Sequence, residues 1–497
     1  MPSGPAQKQK CPKKKERDAE EFRWLNWVYR QWKPKKEGEL SEEVIKQMIP
    51  AISRWGRRKS LESAERSEEL LNRIIAENIA GNPHAELTVN MFNAAMDGYG
   101  KIGNPEGVQR ILRQMETLRS KHDHLQHLKP DVFSMSTLAT AWAKSRSPEA
   151  AIKAENILNY MDVQNLTPNT ITYNAVLHAL AMGNQIDKAV RAEDVVKRMQ
   201  PLSADGEDCK PDIYSYQSLI QAWARTSLPG SPQKTEQILR FLDRESEKGN
   251  VDLSPNAYCF STTIHAWAAS SEKRRARSAY ELLQHMRKRY VEKYSKNVKP
   301  NVVAFTAVLN ACARPMDESE REEAFQIAQL TMAELSLGTY DQPNFLSYAA
   351  FLSVCSSTLD EGDYRNEIVR KSFKECAEAG QVGQIVIDKL KMAASREVYE
   401  ELIMPHITHD GSLSLPRKWT RCIKGERAVD TALRRQLPTK SVTVPKASKL
   451  RLQAVRKFGG KSGVFSSAAA PERLESQGIT WSKRPLGSIL PAKPVKY

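Results

Sequence analysis

The sequence is poor in cysteine, and none of its cysteines is closely paired. Seven are spread over 497 residues, from Cys11 to Cys422, with no C-x-x-C among them. So sparse and odd-numbered a set offers neither a zinc ribbon nor a disulfide framework, and it fits a reducing compartment. Long apolar runs are missing too: no window approaches the roughly 18 residues of a membrane-spanning helix. No apolar secretory segment opens the chain. There is no P-loop, no G-x-S-x-G, and no H-x-E followed by P-C-x-x-C, which sets aside the commonest nucleotide-hydrolysing, serine-hydrolase and zinc-deaminase chemistries. Acidic residues are absent before Glu16, as in a transit peptide, but a transit peptide is also Arg-rich and amphipathic. This opening has Lys8, Lys10, Lys13, Lys14 and Lys15 with Pro2, Pro5 and Pro12 and no apolar face. It is no clear transit peptide; it reads as a solvated basic arm, or as what remains of a longer precursor.

What is abundant is positive charge, and it is unevenly placed. The net charge is +16, which points toward an anionic partner. Residues 1–40 carry a net +5 and residues 411–497 a net +15, so the segment between them is acidic by four charges. Nucleic-acid binding by the body must therefore rest on particular residues. The histidines of HDHLQH (His122, His124, His127) and of HITHD (His406, His409) have no cysteine nearby, and a solvated role is expected for both groups. No metal, no cofactor and no enzymatic activity are expected.

Internal repetition decides the fold. One phrase recurs seven times, beginning at Val89, Val132, Thr170, Ile213, Ala257, Val302 and Phe345, at intervals of 43, 38, 43, 44, 45 and 43 residues. It is an amphipathic opening helix, as in TITYNAVLHALAMGN, followed by a second, as in AEDVVKRM or AYELLQHM. Each junction between units carries a proline followed by Asp or Asn, from Lys129-Pro130-Asp131 to Gln342-Pro343-Asn344. Proline stops one helix and Asp or Asn caps the next. A small residue stands at one place in the opening helices (Gly98, Ala141, Ala179, Ala222, Ala266, Ala311), usually before a bulky one (Tyr99, Trp142, Leu180, Trp223, Trp267). Small beside large lets neighbouring helices interlock, so the tryptophans are expected in the core and not as platforms for bases. The aromatic run Phe22, Trp24, Trp27, Tyr29, Trp32 is expected to pack as a capping helix. The layout that follows is a basic arm with this aromatic segment over residues 1–40, a degenerate first repeat over 41–88 and seven repeats over 89–384. A capping helix over 385–410 and a basic, disordered tail over 411–497 complete it. The fold class is all-α, a right-handed α-solenoid of helical hairpins with basic, disordered ends.

These units resemble pentatricopeptide repeats of the plain type. The resemblance rests on the aromatic–Asn pairs Phe92-Asn93 and Tyr173-Asn174, the second-helix pattern and the closing Pro-Asp or Pro-Asn, and it covers residues 41–390. The units are longer than the family's, with the extra residues before the closing proline, as in RSKHDHLQHL and PLSADGEDC. The resemblance implies sequence-selective binding of single-stranded RNA, one base per repeat. The fifth residue of the first helix and the last residue of the unit would read the base edge, which gives the pairs Asn93–Asp131, Ser136–Asn169, Asn174–Asp212, Gln217–Asn256, Ser261–Asn301 and Thr306–Asn344. The second residue would sandwich the base: Phe133, Ile171, Tyr214, Tyr258 and Val303, with Asn90 and Leu346 at the ends. Ala349 and Gln384 of the seventh unit fit no reading pair. By the same analogy the order of bases is U-A-U, one undetermined, then A-A, and the chain works as a monomer in mitochondria or plastids on RNA stability, processing or translation. Single-stranded RNA is the expected partner, joined by other RNA-processing proteins, with no membrane involved. The alternative is a protein-binding scaffold similar to tetratricopeptide arrays, which the acidic body favours. Asn, Ser and Thr at helix starts also serve as plain caps.

Overall fold

The computed structural model describes residues 14–32, 40–202, 209–226, 228–293, 296–407 and 413–423. The start of the basic arm, the tail beyond residue 423 and most of the PLSADGEDC insert lie outside the described residues. Among the described residues the secondary structure is helical, apart from one antiparallel bridge between Ile407 and Leu413.

Helix α1 (Lys14–Trp32) precedes a first hairpin, α2 (Glu42–Gly56) and α3 (Leu61–Ile79). The repeated phrase forms α4 (Val89–Ile102) with α5 (Pro105–Lys121), α6 (Val132–Lys144) with α7 (Ala150–Val163), and α8 (Thr170–Met182) with α9 (Lys188–Leu202). It continues as α10 (Ile213–Ala224) with α11 (Ser231–Glu247), α12 (Ala257–Ala269) with α13 (Arg275–Lys293), α14 (Val302–Cys312) with α15 (Arg321–Ser336), and α16 (Phe345–Thr358) with α17 (Asp363–Glu378). First helices pack on first helices down the chain, from α2 on α4 to α14 on α16, and α18 (Gln384–Ala393) extends the row. Each second helix packs on its own partner and on the first helix of the next hairpin. The product is an all-α solenoid in two layers, in which no hairpin buries its faces alone.

The closing motif sets the helix starts. Asp131, Asn169, Asp212, Asn256, Asn301 and Asn344 are each in extended backbone, and each side chain accepts a hydrogen bond from a backbone N–H of the first turn. Such a cap contributes about 1 kcal/mol. The interlock is as the sequence suggests. Trp142, Trp223 and Trp267 are 7%, 6% and 6% exposed, so they are core and not stacking platforms. A close crossing joins α2 to α4, where a methyl group on Gly56 would lie 2.1 Å from the Ala94 carbonyl oxygen.

The second helices are tied across units by ion pairs. Arg110 of α5 meets Glu68 of α3 at 2.6 Å, Arg277 of α13 meets Glu323 of α15 at 2.5 Å, and Arg191 of α9 pairs with Glu155 of α7. Several cations of this layer are thus paired with carboxylates.

The ends differ from expectation in two places. The region expected as one capping helix over 385–410 holds two, α18 and α19 (Arg396–Ile403), because the backbone extends at Ala394 and Ser395 starts a new helix by accepting from the Val398 N–H. Residues 413–423, expected to begin a featureless tail, contain the short α20 (Arg417–Thr420) and return onto α17. Val382 N–H donates to the Trp419 carbonyl at 2.8 Å, and Trp419 packs edge-on against Phe373 and His406. At the other end, α1 buries Leu25, Val28 and Tyr29, while Phe22 meets Trp55 edge-on.

Candidate nucleic-acid interface

The second residue of each first helix stays out of the core although it is large and apolar. Phe133, Ile171, Tyr214, Tyr258, Val303 and Leu346 are between 44% and 64% exposed. Single exposed apolar residues are ordinary, but one register position exposed in six consecutive units needs a cause. In the unit before these, the position is the exposed Asn90.

One helical turn on, the fifth residue points back toward the start of the next first helix and meets its cap. Asn93 Nδ2 donates to both carboxylate oxygens of Asp131 at 3.1 and 3.0 Å, and Asn174 Nδ2 donates to both of Asp212 at 3.0 and 3.1 Å. Ser136 Oγ and Ser261 Oγ each lie 3.3 Å from the Oδ1 of Asn169 and Asn301. Thr306 reaches Asn344 through Ser347, whose hydroxyl is 2.9 Å from Thr306 Oγ1 and donates to Asn344 Oδ1 at 3.1 Å. The pairing of Gln217 with Asn256 is not formed directly among the described residues; Asn256 Oδ1 accepts from the Tyr258 and Cys259 N–H groups. Ala349 is buried.

Capping and display of a polar group are one arrangement here, where the sequence left them as alternatives. Asn169 Oδ1 accepts from the Thr172 N–H at 2.9 Å, and Asn301 Oδ1 from the Ala304 N–H at 3.0 Å. An amide that turns its oxygen to the helix start turns its nitrogen away, as a donor of two hydrogens. A carboxylate in the same place, as at Asp131 and Asp212, offers acceptors only. The caps therefore fall into two chemical kinds while doing the same structural job.

Both sets of residues share one surface. Asn174, Asp212 and Gln217 line an open cleft of about 760 Å³ together with Ile171, Tyr214 and Tyr258. A second cleft, of about 570 Å³, is lined by Thr306, Leu346 and Ala349 and continues to Ile385 and Lys389 of α18. The clefts also bring in residues that the sequence reading missed. The ninth residue of the first helix is Thr140, His178 or Gln221 in the first cleft and His265, Asn310 or Ser353 in the second. The thirteenth is Lys144 or Met182, then Arg314, and the same register holds Lys101 and Arg225. A signal for them exists in the sequence, because positions two, five, nine and thirteen fall on one helical stripe. The cleft wall strips water from Lys144, and Lys59 and Lys101 repel its charge, so its ammonium pKa sits below the ordinary lysine value. No group of three or more metal-ligating side chains converges among the described residues.

Comparison with known proteins places the repeats. A pentatricopeptide repeat domain model matches residues 124–185, and a PPR repeat model matches residues 91–119. The chain is 26% identical over 159 residues to a chloroplastic pentatricopeptide repeat-containing protein of Arabidopsis thaliana, covering 32% of this chain and 27% of that one. A second such protein of the same plant is 28% identical over 130 residues, covering 26% of this chain and 15% of the relative. The match thus spans about a quarter or less of the curated relatives. Among solved structures, the pentatricopeptide repeat protein PPR10 from maize is similar with a TM-score of 0.43 and 20% identity, over 75% of this chain and 45% of that chain. The same maize protein in complex with an 18-nucleotide psaJ RNA element gives a TM-score of 0.32 and 17% identity, over 81% of this chain and 48% of that chain.

Proposed function

We propose that the chain, which is a pentatricopeptide repeat protein, binds single-stranded RNA along its layer of first helices and does so selectively. A base would sit between the exposed second residues of successive units, where stacking contributes about 1–3 kcal/mol per base. Its edge would meet the fifth residue and the cap. Asn93 with Asp131 and Asn174 with Asp212 would take uracil, and Ser136 with Asn169, Ser261 with Asn301 and Thr306 with Asn344 would take adenine, giving UAUNAA. The cations of the thirteenth register, Lys101, Lys144, Arg225 and Arg314, lie where phosphates of such a strand could be neutralised. Phosphate contacts of this kind give affinity without sequence preference.

The observation that carries this reading is the coincidence, in the second, third and fifth units, of an exposed apolar residue with a directly hydrogen-bonded polar pair one turn away. A scaffold for protein partners needs no such pairing, although the acidic body favours that rival. The curated relatives are named chloroplastic, and we infer an organellar role in RNA stability, processing or translation. Filter binding with mixed-sequence single-stranded RNA is the test. Retention of RNA, with duplex RNA of the same length competing poorly, supports the reading; no retention at low salt overturns it in favour of a protein scaffold.

A further inference from the structure

We propose that the third residue of the following first helix is a positioning residue, which orients the fifth residue of the unit before it and so sets how sharply that unit discriminates bases. The inference rests on the RNA-reading role above. Four such residues carry a hydroxyl, all four are wholly buried, and each contacts the reader before it. Ser134 Oγ donates to Asn93 Oδ1 at 2.7 Å, and Ser215 Oγ donates to Asn174 Oδ1 at 2.6 Å. Thr172 Oγ1 is 2.6 Å from Ser136 Oγ, and Ser347 Oγ is 2.9 Å from Thr306 Oγ1.

The chemistry at this junction is specific. With Oδ1 held by Ser134 and Nδ2 held by Asp131, the Asn93 amide cannot flip without setting its oxygen against a carboxylate. In the hydroxyl readers the consequence is different. Ser136 has one proton and several acceptors within reach, including the Val132 carbonyl at 2.7 Å and Asn169 Oδ1 at 3.3 Å. The Thr172 hydroxyl, which also lies 2.9 Å from Asn169 Oδ1, restricts where that proton and the free lone pairs point. Helix capping accounts for part of the role, since Ser134, Ser215 and Ser347 also accept from the backbone N–H of Asp131, Asp212 and Asn344. It does not account for the Thr172 hydroxyl: the Asn169 cap is already served by the Thr172 backbone N–H, and the hydroxyl bonds both members of the second unit's reading pair, Ser136 and Asn169.

The protein contains its own control. The second and fifth units carry the same reading pair, Ser with Asn, at the same 3.3 Å separation. They differ at the third residue of the next helix, Thr172 against the equally buried Ala304.

The experiment measures the full chain's affinity for UAUNAA and for variants with guanine at the second or the fifth nucleotide, alongside thermal melts. Wild type should discriminate against guanine more strongly at the second nucleotide than at the fifth. Thr172→Ala should reduce discrimination at the second nucleotide about fivefold, near the net worth of one hydrogen bond, and Thr172→Ser should restore it. Ala304→Ser should raise discrimination at the fifth by a similar factor. An equal loss of affinity for every RNA in Thr172→Ala would mark a merely structural role and overturn the inference. So would RNA binding whose discrimination neither variant changes. Failure of the wild type to bind any of these RNAs overturns the RNA reading itself, and this inference with it.

Discussion

Asn93 and Asp131 stand 38 residues apart in the chain and are joined by two hydrogen bonds, with Asp131 at the same time capping α6. Asn93 is 5% exposed, so its amide depends on that partner. Asp131→Ala should remove the cap and strand a buried donor, costing about 1–3 kcal/mol in urea unfolding. Asp131→Asn keeps an oxygen for the cap and should cost less. Equal losses for the two variants would show that the pair contributes nothing beyond capping.

The packing of Trp223 yields a second expectation. It is buried between hairpins, with Lys234 over its ring at 5.6 Å. Trp223→Ala should destabilise by roughly 3–5 kcal/mol and loosen the neighbouring units, since solenoid stability is shared across interfaces. A urea melt displaced by less than about 1 kcal/mol would contradict a core position.

Acid stability should depend on Glu68. Burial raises its pKa, but hydrogen bonds from Arg110 and Tyr99 and the charge of Arg110 outweigh that and hold it below its ordinary value of 4.5. A carboxylate with a depressed folded pKa contributes stability that is fully present above its unfolded pKa and is lost as pH falls through the folded one. Glu68→Gln should therefore be less stable than wild type near neutrality, with the gap closing as pH drops below about 4.5. Urea midpoints measured from pH 7 to pH 3 would check it; a constant gap would show that ionisation of Glu68 is not involved.

Salt dependence addresses the thirteenth register. Replacing Lys144, Arg225 or Arg314 by Gln should weaken RNA binding alike for all sequences. Each replacement should lower the slope of log affinity against log salt by about 0.7 for every phosphate of the single strand that is no longer neutralised. An altered base preference in any of the three would place that residue at a base and not at the backbone.

Much of the fold was legible because its signals are local and repeated. Proline followed by Asp or Asn marks the start of six first helices, from α6 to α16, and the small-then-bulky pair at Ala222 and Trp223 marks the buried seam. The reading pairs were named only through the resemblance to the family. What stayed hidden depends on neighbours that no single unit contains. That Ser134 would hold Asn93 requires knowing which helix lies beside α4. The row of cations at Lys144, Arg225 and Arg314 was obscured by an acidic total, since the acidic residues that balance it sit largely in the other layer. The break between α18 and α19 has no proline or glycine to announce it, and the return of Trp419 onto α17 is long-range packing inside a segment whose composition reads as tail.

The code itself is tested most directly at Asn169. Its Oδ1 caps α8 through the Thr172 N–H at 2.9 Å, and a carboxylate can do the same, so Asn169→Asp should fold normally. What changes is the outward group, from a donor to an acceptor, which by the family pattern exchanges adenine for guanine because a carboxylate accepts from guanine N–H groups. The measurement is the affinity of wild type and Asn169→Asp for UAUNAA and UGUNAA. Wild type should prefer the first and the variant the second, with a swing of about tenfold. If both proteins rank the two RNAs alike, the second unit does not read a base through Ser136 and Asn169, and the one-base-per-repeat account fails.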